Sequence, residues 1–191
     1  MPVDQRRLPP GAIYLSELVS PAVEASLIVQ VDAAPWNTEL KRRVQHYGYR
    51  YDYRARAVTE DAFLGELPGW LQELATELQS YARFEQTPDQ VIINEYEPGQ
   101  GISAHVDCVP CFSETIASLS LLSACTMNFE ERTSGERRHV VLAPRSLLVL
   151  RGPSRYCWTH SIPARQSDMI DGQRVARSRR VSLTFRKVVL D

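Results

Sequence analysis

Residues 179–187 read RRVSLTFRK, and the period of this stretch decides how the whole chain is read. In an extended strand Val181, Leu183 and Phe185 fall on one side, and Arg180, Ser182, Thr184 and Arg186 on the other. One face belongs in a core, and the other is polar and doubly cationic. Two arginines about 20 Å apart along a strand, with small hydroxyl residues between them, suit a groove that receives a dianion with a carboxylate at each end. The strand must curve, or the arginines lean inward, for a short dicarboxylate to reach both.

Upstream of this strand lie the residues that give such a groove a reaction. His105 and Asp107, in ISAHVD, stand at i and i+2, so that a strand aims an imidazole and a carboxylate at one point. Alone the pair means little, since four His and nine Asp produce an H-x-D by chance roughly one time in five. His160, in YCWTHSIP, supplies a third ligand. Two histidines and one carboxylate leave three metal positions open, the arrangement that suits non-haem iron activating O2. Asn94 and Tyr96, in VIINEYEPGQG, again share a face, and their amide and phenol can donate to the same dianion.

The architecture follows from periodicity. Residues 12–16 read as a short strand. Ser20-Pro21 opens an N-capped helix, and Trp70, Leu71, Leu74, Leu78 and Tyr81 recur at helical steps from Pro68 to about Tyr81. From residue 90 onward the runs 90–96, 102–107, 115–122, 125–130, 138–142, 146–151, 156–162 and 179–189 read as strands, separated by turns such as EPGQG and RTSGE. The expected fold is therefore α+β and mainly β: a jelly roll, or double-stranded β-helix, with N-terminal helices packed on one side. With 191 residues and 43% apolar content, the chain is expected to be one domain, 1–89 supplying helical support and 90–191 the jelly-roll core. The segment from Ala164 to Ser178 reads as a loop that orders only when substrate arrives.

Composition narrows the setting. No run approaches the roughly 18 apolar residues of a spanning helix, and MPVDQRRLPPG lacks the apolar block of a secretory signal. A cytoplasmic monomer away from any membrane is expected. Cys108, Cys111, Cys125 and Cys157 are too few and too irregular for a disulfide framework, so reduced thiols are expected; the C-x-x-C of Cys108 and Cys111 has a redox pair or half a zinc site as its alternatives. The net charge of −1 conceals two strongly basic segments. Residues 41–56 and 165–187 each carry +5, against −11 for the remainder, which suits an anionic partner such as nucleic acid if both flank one site.

With N-x-Y, H-x-D, a later His and R-x-S-x-T-x-R in order, the sequence resembles the AlkB family of 2-oxoglutarate oxygenases over nearly its whole length. HYGYRYDY, NEYEPGQGISAHVD, SLSLLS, PRSLLVLRGPSRYCWTHSI and RVSLTFRKV carry the likeness. It is nearest to the oxygenase domain of the animal tRNA wobble-uridine hydroxylases and to bacterial AlkB-like proteins. The resemblance implies that His105, Asp107 and His160 bind Fe(II), and that 2-oxoglutarate and O2 are cosubstrates. It implies that Arg180 and Tyr96 hold the distal carboxylate, with Asn94 and Arg186 nearer the metal. HYGYRYDYRAR corresponds to a nucleotide-recognition lid, whose Tyr49, Tyr51 and Tyr53 alternate on one strand face and suit stacking on a flipped base; Arg155 matches the pocket edge, where it would meet a phosphate or the substrate. Oxidative dealkylation of alkylated DNA or RNA bases, with release of formaldehyde, succinate and CO2, is the leading expectation. Hydroxylation of a modified tRNA base is the alternative, followed by a silent binding module and a zinc-dependent jelly-roll enzyme. One departure stands out: where the family's name-giving repair enzyme has a second acid that reads an exocyclic amine, this chain has Val109.

Overall fold

The computed structural model describes residues 8–190, so the signal-peptide reading of the first seven residues lies outside it. In chain order the elements are β1 (Ile13–Leu15), α1 (Pro21–Ala33), β2 (Arg43–Tyr47), α2 (Gly69–Ala82), β3 (Gln90–Tyr96), β4 (Ile102–His105), β5 (Phe112–Leu121), β6 (Cys125–Glu131), β7 (Arg137–Leu142), β8 (Ser146–Leu150), α3 (Pro153–Tyr156), β9 (Trp158–Ile162), β10 (Ser167–Ile170), β11 (Gln173–Ala176) and β12 (Arg180–Val188). Two antiparallel sheets face each other: a large one ordered β1-β8-β5-β12-β3-β2 and a small one ordered β4-β9-β6-β7. This is the expected jelly roll, mainly β, with helices on one side.

The alternation of β12 explains the layers. Val181, Leu183 and Phe185 are each fully buried on the outer face of the large sheet, beside Val91 and Ile93 of β3 and Leu119 and Leu121 of β5. Leu27 and Val31 of α1 and Leu71, Leu74 and Leu78 of α2 cover them; α2 buries the apolar stripe that its sequence shows, whereas the apolar residues of α1 run round the helix and leave Val23 and Val29 exposed. Ser20 caps α1 by accepting a hydrogen bond from the Val23 amide at 3.2 Å, with Pro21 in the first turn, an arrangement that stabilises a helix by about 1 kcal/mol. The inner face of the same sheet packs on the small one through Ile116, Leu148, Leu150, Phe129 and Trp158. The polar side chains of β12 look into this inter-sheet space.

Three expectations are corrected by the fold. Residues 164–178 are not an unordered loop: β10 and β11 form a hairpin whose turn, Asp171-Gly172, has positive φ at both positions, the requirement of a two-residue hairpin turn. Its anchor is Asp168, buried at 2% exposure and clamped by the guanidinium groups of Arg165 and Arg177. Burial alone would raise that carboxyl, but the two arginines hold it down to about 2. The cysteines of the C-x-x-C are not free thiols, because the tight turn after β4 brings their Cα atoms to 5.3 Å and they are joined as a disulfide; Cys125 and Cys157 remain unpaired. The tyrosine-rich segment is not one strand, since β2 ends at Tyr47. Gly48, with φ +75°, turns the chain where a Cβ would come within 1.8 Å of the Asp89 carbonyl oxygen, so only glycine fits there. Among the described residues no helix is long and apolar enough to cross a membrane.

Candidate active site

The inner faces of β3 and β12 assemble one wall of a cavity of about 660 Å³ between the sheets. Their antiparallel register sets Arg180 opposite Tyr96 and Ser182 opposite Asn94, so the N-x-Y and R-x-S-x-T-x-R motifs are cross-strand neighbours. On the facing sheet β4 pairs with β9 so that His105 lies directly opposite His160, with ring centroids 4.3 Å apart. Asp107 stands two residues past the end of β4, which stops at His105 rather than running to 107. Ligand atoms of His105, Asp107 and His160 all lie within 4.8 Å of one another, and theirs is the one such group found among the described residues.

Each ligand is oriented by a neighbour. The Nδ1 of His105 lies 2.8 Å from the Ser103 carbonyl oxygen; donating there leaves the Nε2 lone pair for a metal. Asp107 divides its carboxylate. Oδ1 accepts from Nε and Nη2 of Arg186 at 3.0 and 2.6 Å, whereas Oδ2 faces Nε2 of His160 at 3.6 Å. Burial pushes the Asp107 carboxyl up, but Arg186, His160 and His105 together outweigh it and hold it far below the ordinary carboxylate range. Burial also lowers His160, to about 4. Both groups therefore stand in the ionisation state that metal binding requires.

The same wall is short of anionic partners. Arg180 is 3% exposed and spends only Nη2 on a hydrogen bond, to the Ser120 hydroxyl at 2.8 Å. Its Nε and Nη1, and Nη1 of Arg186, are buried without a partner. A buried guanidinium with two idle donors is costly unless an anion completes it. A carboxylate of 2-oxoglutarate, lying along the hydroxyls of Ser182 and Thr184, fits that need, and the His, Asp, His donor set with its open side fits iron(II).

The remaining predicted residues divide. Tyr51 and Tyr53 line the cavity, stacked edge to face at 5.1 Å. Tyr49 is outside it: the chain reversal at Gly48 turns its ring onto Phe63, 5.1 Å away. Arg155 is not at the pocket edge either. It is 2% exposed and donates to the carbonyl oxygens of Asp107 at 2.8 Å and Cys108 at 2.9 Å, which fixes the backbone of the metal turn and leaves no room for a phosphate. Lys41, Arg42 and Arg56, which the sequence reading singled out only as part of a basic segment, also line the cavity. Arg42 donates through Nε to Oδ1 of Asn94 at 2.8 Å and lies 5.9 Å from the Tyr53 ring. The second basic segment is largely neutralised within the fold, Arg179 by Asp32 and Glu95, Lys187 by Asp89 and Arg186 by Asp107.

His46 supports the lid from below, accepting at Nδ1 from the Tyr51 amide at 3.5 Å. Burial, reinforced by Arg50 and Arg186, lowers it from 6.5 to about 4. Its folded pKa lies below its unfolded one, so the unfolded chain takes up the proton first. Stability due to this group is complete above pH 6.5 and is lost as pH falls toward 4, by up to about 3 kcal/mol. His46→Asn is expected to flatten that part of the pH dependence of urea unfolding relative to the unsubstituted protein. An identical profile would show that His46 is not held neutral.

A family model described as the 2OG-Fe(II) oxygenase superfamily matches residues 23–186. The chain belongs to this superfamily. Within it the relatives include ALKBH8 proteins. The "Alkylated DNA repair protein ALKBH8 homolog" of Arabidopsis thaliana is 37% identical over 94% of this chain and 58% of its own length. The tRNA (carboxymethyluridine(34)-5-O)-methyltransferase alkbh8 of Xenopus tropicalis is 38% identical over 95% of this chain, which spans 32% of that protein. An uncharacterised mimivirus protein is 32% identical over 94% of this chain and 85% of its own length. Among solved structures OsALKBH1 superposes with a TM-score of 0.73 at 17% identity, covering 94% of this chain and 98% of the other, and shows the shared fold. As an AlkB-type member, this oxygenase is an Fe(II)- and 2-oxoglutarate-dependent dioxygenase that uses O2.

Proposed function

We propose that this AlkB-type oxygenase oxidises a nucleobase in nucleic acid, and that the base is neutral or anionic rather than a cationic alkylated one. The charge of the cavity carries this reading. Among the described residues its only acid is Asp107, already paired with Arg186, while Lys41, Arg42 and Arg56 line the lid side. A cationic ring such as 1-methyladenine or 3-methylcytosine meets a surplus of like charge there, and Val109, half exposed on the turn beyond Asp107, offers no carboxylate to it. A uracil-type base, rich in carbonyl acceptors, or a neutral N-alkylated base meets donors instead. The names of the ALKBH8 relatives, which include a tRNA carboxymethyluridine enzyme, support the uridine side of this choice. Dealkylation, the leading expectation from the sequence, is retained for neutral N-alkyl bases.

In this reading His105, Asp107 and His160 hold the iron, Arg180 and Tyr96 take the distal carboxylate of 2-oxoglutarate, and Arg186 and Asn94 act nearer the metal. Bound iron(II) and 2-oxoglutarate supply the oxidation of a C–H bond by O2, with succinate and CO2 as coproducts. The chain's own residues position and exclude. Arg186 and Arg155 fix the Asp107 side chain and backbone, Tyr51 and Tyr53 flank the base, and Arg42 links the lid to Asn94. Residues 1–89 serve as helical support and lid to a 90–191 core within one catalytic unit. Oligonucleotides carrying neutral or cationic N-methyl bases, and bulk tRNA, are to be incubated with the enzyme and the nucleosides read by mass spectrometry beside a His105→Ala control. Loss of a neutral methyl or a gain of one oxygen on a uridine is expected. Efficient repair of 1-methyladenine alone would overturn the charge argument.

A further inference from the structure

Two side chains that the oxygenase chemistry leaves unused lie against its metal turn. Cys108 follows Asp107, and Cys111 is bonded to it across a four-residue turn. They are buried at 8% and 5% exposure, and both sulfurs face one atom, the carbonyl oxygen of Arg56, at 3.2 and 3.5 Å. Arg56 belongs to the lid and has φ +54°, a left-handed conformation that residues with a Cβ resist. Its turn is otherwise held by the Asp52–Ala57 bridge and by the Asp52 carboxylate, which accepts from the amides of Arg54 and Ala55 at 2.7 and 2.9 Å.

The two oxidation states offer this carbonyl different things. Thiols are S–H donors, and a disulfide has none. We propose that Cys108 and Cys111 form a reversible redox site that sets the order of the lid. As a disulfide, the state of this structure, they touch the Arg56 carbonyl without donating to it; as thiols they donate to it and tighten residues 50–62 in the place they already occupy over the cavity. Nothing in this depends on which base the enzyme oxidises. A zinc role is unsupported, because among the described residues the pair belongs to no cluster of three or more metal-ligating groups and structural zinc takes four ligands.

The exchange partner is a small disulfide such as oxidised glutathione. One cysteine sulfur attacks it, forming a mixed disulfide and releasing one thiol. The second cysteine then displaces the other thiol, closing the Cys108–Cys111 bond. Two electrons and two protons thus leave the protein as two glutathione thiols, and excess glutathione reverses both steps. A C-x-x-C ring is so short that closing it constrains the unfolded chain little, which keeps such a bond exchangeable. Cys111 lines a second cavity of about 270 Å³, bounded by Ala57, Val58 and Pro110, and this gives the oxidant a path.

The test uses the full chain equilibrated in reduced or oxidised glutathione, with peptide masses and backbone hydrogen exchange read together. On oxidation the peptide holding Cys108 and Cys111 is expected to lose two hydrogens, and residues 50–62 to exchange about fivefold faster, as the loss of one or two weak hydrogen bonds implies. A Cys108→Ser/Cys111→Ser variant keeps hydroxyl donors and should exchange like the reduced protein in both buffers. Persistence of both thiols in oxidised glutathione, equal exchange in the two states, or an unchanged response in the serine variant would each overturn the proposal.

Discussion

Exchanging Arg180 for methionine is expected to raise the 2-oxoglutarate concentration needed for half-maximal succinate formation by about 30- to 5,000-fold, the range for removing one partner of a buried charged pair. The same change should make the cosubstrate-free protein more stable, not less. In the structure Arg180 is buried with Nε and Nη1 unpartnered and a single bond to Ser120, so the fold carries an uncompensated cation that a methionine of similar length would relieve by about 1–4 kcal/mol. Thermal unfolding with manganese in place of iron reads both effects. The unsubstituted protein should gain stability as 2-oxoglutarate is added, whereas Arg180→Met should start higher and gain little. An unchanged cosubstrate requirement would remove Arg180 from the site.

The second large effect is expected at Asp107. Changing it to asparagine keeps the shape but removes the charge. Losing a partner that merely orients a ligand costs about 10- to 100-fold in metal affinity, and losing the ligand itself should exceed that. Iron-dependent turnover should fall with it. There is a structural cost as well, because Arg186 donates twice to Oδ1 of Asp107 and would be left as a buried, unpaired cation at about 3–5 kcal/mol. A double variant, Asp107→Asn with Arg186→Met, separates the two consequences. Stability should recover while metal binding does not, and recovery of both would mean that Asp107 acts only through the ion pair.

Much of this was legible in the chain. The two-residue period of RVSLTFRKV assigned β12, its buried face and its polar face, because alternation in a strand is local geometry that tertiary packing rarely reverses. Ser20-Pro21 marked the start of α1, and the spacing of Leu71, Leu74 and Leu78 marked α2, for equally local reasons. The hairpin β10–β11 has one signal in the sequence, the Asp171-Gly172 turn pair, which suits a two-residue hairpin connection. The sequence expectation there is a loop, because the hairpin is held by Asp168, whose two arginine partners meet it only once the chain has closed around them.

The sequence by itself determined which residues share a face; the tertiary structure decided which faces meet. His105 and His160, 55 positions apart, become cross-strand partners only through the β4–β9 pairing. Arg155 was placed by resemblance at a rim, and burial made it a support for the metal turn. Tyr49, Tyr51 and Tyr53 looked equivalent until Gly48 turned the chain and sent one of them elsewhere. Charge behaved the same way. Two segments with equal net charge separated in the fold, one spending its arginines on internal carboxylates and the other keeping Lys41, Arg42 and Arg56 for the cavity. Local periodicity is fixed by the backbone of each residue and its neighbours, whereas an ion pair or a ligand set depends on distances between residues remote in sequence, which only the closed fold defines.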